Sequence, residues 1–343
     1  MPVRNEGPYI ETSLGSVLRQ SYGLDAMEVL VVDGVSEDDT RERVYRLTAE
    51  HPGAVVEILD NPGKIAPCAL NVGLRHARGD VVVRVDGHCE VSPGYVSHAV
   101  AHLRNGADGV GGPLITLGEG VTAEAIAAAM SSRFGVGGSA FRTVGAGPDF
   151  APKLDLEAVR EVDTVAFPAY TRQALERNGP YDEELVRNQD DEYNYRLRKA
   201  GGRLLLAQDM PARYYSRTGF QKLWRQYAQY GFWKVRVLQK HPRQMSLRQF
   251  VPPAFVLALV AGAVGTMLDP GRLGPAFLGL VLLYAAAAAG AAWREGRRFG
   301  VRSPARLFPA FVLLHLGYGS GFLVGLVRFS RRWGDRGEPP TDS

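Results

Sequence analysis

Hydrophobic and polar positions follow two different periods up to about residue 245 and a third pattern beyond it. Ile10, Leu14, Val17 and Leu18 recur at helical spacing and predict a helix over 8–20. Residues 28–33 read as a strand ending in Asp33, and the polar loop behind it carries Ser36, Asp38 and Thr40, residue types that can cap a helix over 41–50. A short strand over 54–59, a turn at Asn61-Pro62-Gly63-Lys64 and a helix over 66–77 follow. Gly79 then releases the chain into Val81-Val82-Val83-Arg84-Val85, whose four β-branched residues predict a buried central strand. The loop 1–7 should be entered from a strand and none precedes it, so the first strand is expected to be missing or a stub. Strands alternating with helices at this rhythm predict an α/β domain with a parallel sheet and right-handed crossovers.

Periodicity weakens over 109–165. Gly111-Gly112-Pro113 reads as a turn after a strand, 123–130 as a small-residue helix, and 133–152 as a Gly-rich loop of the length expected of a lid. A strand over 162–167, a short helix over 171–177, a helix from Asp190 to about 200 stopped by Gly201-Gly202, and a final strand over 204–207 complete this part. Residues 220–239 interleave aromatic rings with lysines and arginines, as in a helix lying in a lipid interface; an amphipathic helix packed on the preceding domain is the alternative. Segments 252–268, 273–293 and 307–327 are each near the length needed to span a bilayer.

Composition changes this picture in three ways. A mean hydropathy of −0.11 averages a polar part with an apolar one, and the formal charge of +4 is concentrated as arginines around the apolar segments, which points to anionic lipid and not to nucleic acid. The linker 294–306 holds five arginines and one acid and should be cytoplasmic. A third crossing would then export a tail containing Arg328, Arg331 and Arg332, so either that tail breaks the charge rule or the third segment is re-entrant or interfacial. Cys68 and Cys89 are too few for a disulfide framework or zinc site and suit a reducing cytoplasm, and the N-terminal apolar run is too short and charged for a signal peptide. No Gly-x-Gly-x-x-Gly follows the early strands and no P-loop occurs, which disfavours dinucleotide and P-loop nucleotide sites.

Candidate chemistry gathers where strands end. Asp86 and His88, two residues apart beyond the 81–85 strand, can offer an oxygen and a nitrogen to a divalent ion. A second acidic knot, Gln189-Asp190-Asp191-Glu192, lies far downstream, and Asp33 is placed to grip ribose hydroxyls.

Pro2-Val-Arg-Asn5-Glu6, Val32-Asp33-Gly-x-Ser36-x-Asp38-x-Thr40, Ala69-x-Asn71-x-Gly73, Asp86-Gly-His88 and Asn188-Gln-Asp190-Asp-Glu192 together resemble the ordered motifs of family 2 inverting glycosyltransferases. Within that family the chain is similar to membrane-anchored bacterial glucosyltransferases of the succinoglycan-biosynthesis type. The resemblance implies a GT-A catalytic domain, a Rossmann-like mixed sheet, over 1–217, then an interfacial helix over 218–248, a membrane region of two to three helices over 249–329 and a disordered tail over 330–343. It implies that Pro2, Glu6, Asp33, Asp38 and Asp86 hold the nucleotide sugar, that Asp86 and His88 hold Mg²⁺ or Mn²⁺, and that Asp190 is the general base. Implied partners are a UDP-hexose donor, a polyprenyl-linked or other lipid-linked saccharide acceptor and membrane lipid, at the cytoplasmic face of the inner membrane. The chain departs from the family in two places: Asp-x-His replaces Asp-x-Asp, lowering the negative charge offered to the ion, and Gln189-Asp190 replaces Glu-Asp. A non-catalytic, membrane-tethered nucleotide-sugar-binding scaffold is the competing expectation.

Overall fold

The computed structural model describes residues 1–144, 154–216 and 219–335, and in it the expected N-terminal stub is β1 (Pro2–Val3). It pairs in parallel with β2 (Glu28–Asp33), on which β3 (Val55–Asp60) pairs in parallel on the other side. The crossovers α1 (Gly7–Leu18) and α2 (Thr40–Ala49), followed by α3 (Ala66–His76), lie within two residues of the bounds that periodicity predicts. This part of the sheet is parallel throughout.

Beyond it the parallel expectation gives way to a mixed arrangement. β4 (Val81–Val83) is half-buried and ends before Arg84; β5 (Cys89–Val91) joins a different sheet. Arg84 N still donates to Pro168 O (3.0 Å), in register with the β4–β9 ladder, but the strand stops there because proline has no N–H to return and the following residues turn through Gly87. After α4 (Tyr95–Arg104) come β6 (Gly109–Gly111), β7 (Leu114–Leu117), α5 (Val121–Met130), α6 (Arg133–Val136) and α7 (Ala140–Thr143). These two short helices occupy the start of the predicted lid loop, whose 145–153 stretch lies outside the described residues.

β8 (Val159–Glu161) and β9 (Ala169–Thr171) flank the predicted 162–167 strand, which is irregular backbone. Val165 and Phe167 are buried, so the apolar signal was real, but Phe167 takes φ +48, incompatible with extended backbone. The Thr171 side chain accepts from Ala174 N to start α8 (Arg172–Asn178). Next come α9 (Gln189–Lys199), β10 (Leu204–Ala207) and an unforeseen strand, β11 (Ala212–Tyr215). The second sheet runs β4-β9-β6-β10-β8, with β4 at one end of the order and not central; the third runs β5-β11-β7.

α10 (Phe220–Lys240) does not spend its basic residues on lipid alone. Lys234 Nζ donates to Asp191 Oδ2 (3.0 Å), Arg236 forks onto both Glu184 oxygens (2.8 and 3.0 Å), Lys240 bonds Asp182 and Glu184, and the next residue, His241, meets Glu192 (2.9 Å). Lys234, Arg236 and Lys240 are buried, while Lys222 and Arg225 stay exposed. Burial pushes the Glu184 carboxyl up, but hydrogen bonds from Arg236 and Lys240 more than offset this and bring it down to about 2. Its stabilising share is therefore present above the ordinary carboxylate range and lost as pH falls toward about 2. Glu184→Ala removes the bidentate partner of the fully buried Arg236, which keeps Gln239 Oε1 (2.7 Å) and Asp335 (3.6 Å), and should cost about 3 kcal/mol, read as a lowered urea midpoint of the detergent-solubilised protein. A loss under about 1 kcal/mol would show that the pair is not structural.

α11 (Val251–Leu268), α12 (Pro270–Arg298) and α13 (Leu307–Arg328) are all long and apolar enough to cross a membrane. They differ in cover: 6%, 17% and 44% of their most apolar windows is buried inside the protein. α13 is sunk against α10. A Cβ on Gly321 or Gly325 would lie 2.0 Å from Ala228 O or 2.7 Å from Phe232 O, and one on Gly231 would lie 2.0 Å from Tyr318 O. Small residues every fourth position thus let the two backbones touch. Both ends of this helical segment are tied to the preceding domain. Arg302 pairs with Glu124 and Arg306 with Thr122 at its start; Gln239 Nε2 donates to Phe329 O (2.8 Å) and Arg332 pairs with Glu184 at its end. Ser330–Arg332, expected to begin a disordered tail, form a 3₁₀ turn held by these contacts; 336–343 lie outside the described residues.

Candidate active site

Pro2, Glu6, Arg84, Asp86, His88 and Asp190 line one cavity of about 1240 Å³. They arrive from three places: β1 with the loop after it, the turn after β4, and the first turn of α9. The same cavity is walled by Lys222, Arg225 and Tyr227 of α10 and by Phe255, Tyr284 and His315 of the three apolar helices.

The loop carrying Glu6 is built by the loop at 36–40. Asn5 N donates to Ser36 Oγ (2.8 Å), Glu6 N to Thr40 Oγ1 (2.8 Å) and Gly7 N to Asp38 Oδ2 (3.0 Å). Asp38 also accepts from Thr40 N and Oγ1; these bonds overcome burial and hold its carboxyl below the usual range. Asp33 is fully buried, accepts from Ser36 Oγ (2.5 Å) and faces Arg41 at 3.5 Å. Neither Asp33 nor Asp38 lines the cavity. In the structure these two support the loop that faces the cavity, their oxygens bonded by local N–H and O–H donors.

Gly87 is required where it stands: a Cβ there would meet Glu6 Cγ at 2.8 Å and Val3 Cγ1 at 3.1 Å. Its absence lets Glu6 Oε1 reach His88 Nδ1 (2.8 Å), while the Tyr214 ring packs edge-on against the imidazole. A carboxylate on one ring nitrogen orients the other, as in metal-binding histidines. Among the described residues no cluster of three or more His, Cys, Asp or Glu forms a closed ion cage. Two protein donors, Asp86 and the His88 nitrogen that has no hydrogen-bond partner among the described residues, would suit Mg²⁺ or Mn²⁺, ions that complete their shells with phosphate oxygens and water. Asp86 retains lone pairs for this although Arg84 holds both its oxygens.

Arg84 is the residue that sequence reasoning passed over. Its Nε and Nη2 donate to Asp86 Oδ1 (2.7 Å) and Oδ2 (3.1 Å), and its Nη1 donates to Asp190 Oδ1. The available signal was a charged residue interrupting a valine run two positions before Asp86, hence on its face. Burial would raise the Asp86 carboxyl, yet Arg84 outweighs it and the net shift is downward. For Asp190 burial wins: its carboxyl is raised, with the Asp86 and Asp191 charges adding to burial and Arg84 opposing.

Asp190 is aimed by its surroundings. Asn188, at φ +64, donates from Nδ2 to Tyr230 O (2.9 Å), fixing the start of α9 on α10. Asn71 grips the loop ahead of it, donating to Tyr181 O (2.9 Å) and accepting from Tyr181 N (2.7 Å). Asp191 and Glu192 are committed to Lys234 and to Arg196 with His241. Asp190 and Asp191 each keep one carboxylate oxygen without a hydrogen-bond partner among the described residues, but Asp191 is tied to buried Lys234, whereas Asp190 is joined through Arg84 to Asp86.

Residues 1–134 match the model of Glycosyl transferase family 2. The chain is 33% identical over 271 residues to the succinoglycan biosynthesis protein ExoA of Rhizobium meliloti (strain 1021), covering 78% of this chain and 76% of that one. It is 26% identical over 247 residues to a Methanococcus voltae enzyme named as a dolichyl N-acetyl-alpha-D-glucosaminyl phosphate 3-beta-D-2,3-diacetamido-2,3-dideoxy-beta-D-glucuronosyltransferase, covering 70% and 73%. In fold it is similar to a mannosyltransferase of Pyrobaculum calidifontis solved with GDP-Man and Mn²⁺, with TM-score 0.57 and 19% identity over 92% of this chain and 85% of that one.

Proposed function

The chain belongs to glycosyl transferase family 2, with a GT-A fold, and from that premise we propose that it is a membrane-anchored inverting enzyme that moves one sugar from a UDP-hexose to a lipid-linked saccharide in exopolysaccharide or cell-surface glycan synthesis. One observation carries the reading: a partly free carboxylate, Asp190, shares a cavity with Asp86 and His88, and that cavity is walled on another side by apolar helices. A soluble acceptor needs no such wall. Relatives named as dolichyl-linked and undecaprenyl-phosphate transferases support a lipid acceptor.

Asp86 and His88 would hold the divalent cation, with Glu6 orienting the imidazole. When bound, that cation offsets the charge gathering on the departing diphosphate. Asp190 takes the proton from the acceptor hydroxyl as that oxygen attacks the anomeric carbon; its raised carboxyl suits this work. No nucleophilic carboxylate is needed for inversion. The test is a panel of labelled UDP-glucose, UDP-galactose, UDP-N-acetylglucosamine and GDP-mannose offered to membranes containing the enzyme. Label from one UDP-hexose should enter an organic-extractable product with inverted anomeric configuration. Transfer from GDP-mannose alone would correct the base, and label confined to the aqueous phase would overturn the lipid acceptor.

For the anchor, α11 and α12 form a hairpin of two spans, and α13 lies in the interface. A helix tied at both ends to one domain cannot also carry its far end across a bilayer. The arginines of 294–306 and those at 328–332 then face the same side as the catalytic domain, as the charge rule asks of the cytoplasm. Arg297→Cys and Arg331→Cys should both resist a membrane-impermeant maleimide in intact cells, against the background of Cys68 and Cys89, and react after permeabilisation. Labelling of position 331 alone in intact cells would make α13 a third span.

A further inference from the structure

We propose that Arg84 is a positioning residue for transfer: one buried guanidinium holds the base Asp190 in fixed relation to the donor-site carboxylate Asp86. The proposal rests on the reading of Asp190 as base. Asp86 lies in the turn after β4 and Asp190 in the first turn of α9, and the Arg84 side chain is bonded to both. Two carboxylates facing one cavity repel, and each would relax away from the other without a cation between them. Arg84 occupies that position with an 8% exposed side chain.

Its geometry is that of a ruler. A planar guanidinium carries five N–H donors in fixed directions. Nε and Nη2 form the bidentate fork on Asp86 at 2.7 and 3.1 Å, and Nη1 bonds Asp190 Oδ1. The plane defined by the fork on Asp86 therefore dictates where Asp190 stands. Each end is itself anchored. Arg84 N is bonded to Pro168 O (3.0 Å), Asp86 O accepts from Ser13 Oγ (2.7 Å), and Asn188 pins the start of α9. Because only Oδ1 of Asp190 is engaged among the described residues, the other oxygen is left for the acceptor hydroxyl. The base is thereby set relative to the donor carboxylate and not only to its own helix. A misplacement on the order of 1 Å at such a site can cost about 10² in rate.

Arg84→Lys separates geometry from charge, since an ammonium keeps the positive charge but cannot fork onto one carboxylate and reach the other. Turnover should fall about 10- to 100-fold, while the KM for the donor that membranes turn over, and the binding of UDP with Mn²⁺ measured by calorimetry, stay near wild type. Arg84→Gln, judged by the same readouts and by melting temperature, serves if the lysine variant does not fold. The decisive measurement is a double-mutant cycle with Asp190→Asn. Arg84→Lys should add little to the loss already present in Asp190→Asn, because it acts through that carboxylate. Wild-type turnover in Arg84→Lys, or losses that multiply in the double variant, would overturn the proposal and leave the base intact. A fully active Asp190→Asn would instead remove the base reading.

Discussion

Asp190→Asn is expected to lower turnover by about 10² to 10⁴, the usual contribution of proton transfer in the transition state, with donor binding almost unchanged. Asparagine keeps an oxygen for Arg84 and nearly the same volume, so α9 and its contacts on α10 should survive. What is lost is the ability to accept a proton. Under the proposed assignment the nucleotide is held by the loop around Glu6 and by Asp86, whose bonds to Thr40 and Arg84 the change leaves in place. Asp191→Asn provides the control. In the structure Asp191 is the partner of the buried Lys234, so this variant weakens the fold and not the chemistry. Single-turnover transfer and melting temperature should therefore separate the two neighbours. A dead Asp191→Asn enzyme of normal stability, beside an active Asp190→Asn, would move the base by one position.

The second large effect is expected at the cation site. Chelation with excess EDTA should reduce transfer to background, and Mn²⁺ or Mg²⁺ should restore it. Asp86→Asn should lose transfer at every cation concentration and also lose Mn²⁺-dependent binding of UDP, a readout independent of turnover. The isosteric change keeps an acceptor for Arg84, limiting the damage to charge. His88→Asn should impair transfer less than Asp86→Asn, since it removes one nitrogen donor held by Glu6 and no carboxylate. Full transfer in EDTA would show that His88 in place of the usual aspartate marks an enzyme working without a divalent ion.

Local pattern carried the sequence reading far in some places and failed in others for definite reasons. α1 to α3, β2 and β3 were legible because each combines a clear period with its own start and stop signals. Local pattern does not show β11 and favours a strand over 162–167, because partners far away in sequence decide pairing: β11 lies between β5 and β7, whereas Phe167 turns out of the ladder. Within the site, Pro2, Glu6, Asp86, His88 and Asp190 reach one cavity as their motifs suggested. Asp33 and Asp38 do not, since a loop rich in N–H and O–H donors claims them first. Arg84 was invisible as a site residue because its meaning lies in Asp190, more than a hundred positions away by the residue separation of their bond. The basic face of α10 looked like a lipid contact, and only the fold shows that its buried half answers the acids at 182–192.

That last pairing bears on modularity. A boundary drawn near residue 217 divides catalysis from anchoring on paper, but Asp182, Glu184, Asp191 and Glu192 find their counter-ions at Lys234, Arg236, Lys240 and His241, beyond the cut. A fragment ending there would expose a loop of like charges immediately beside Asp190. Anchors from relatives could be exchanged only together with the cations that complement this loop. The membrane part and the catalytic centre are thus physically joined through a set of charge pairs, and a replacement anchor has to supply cations matched to the acids it meets.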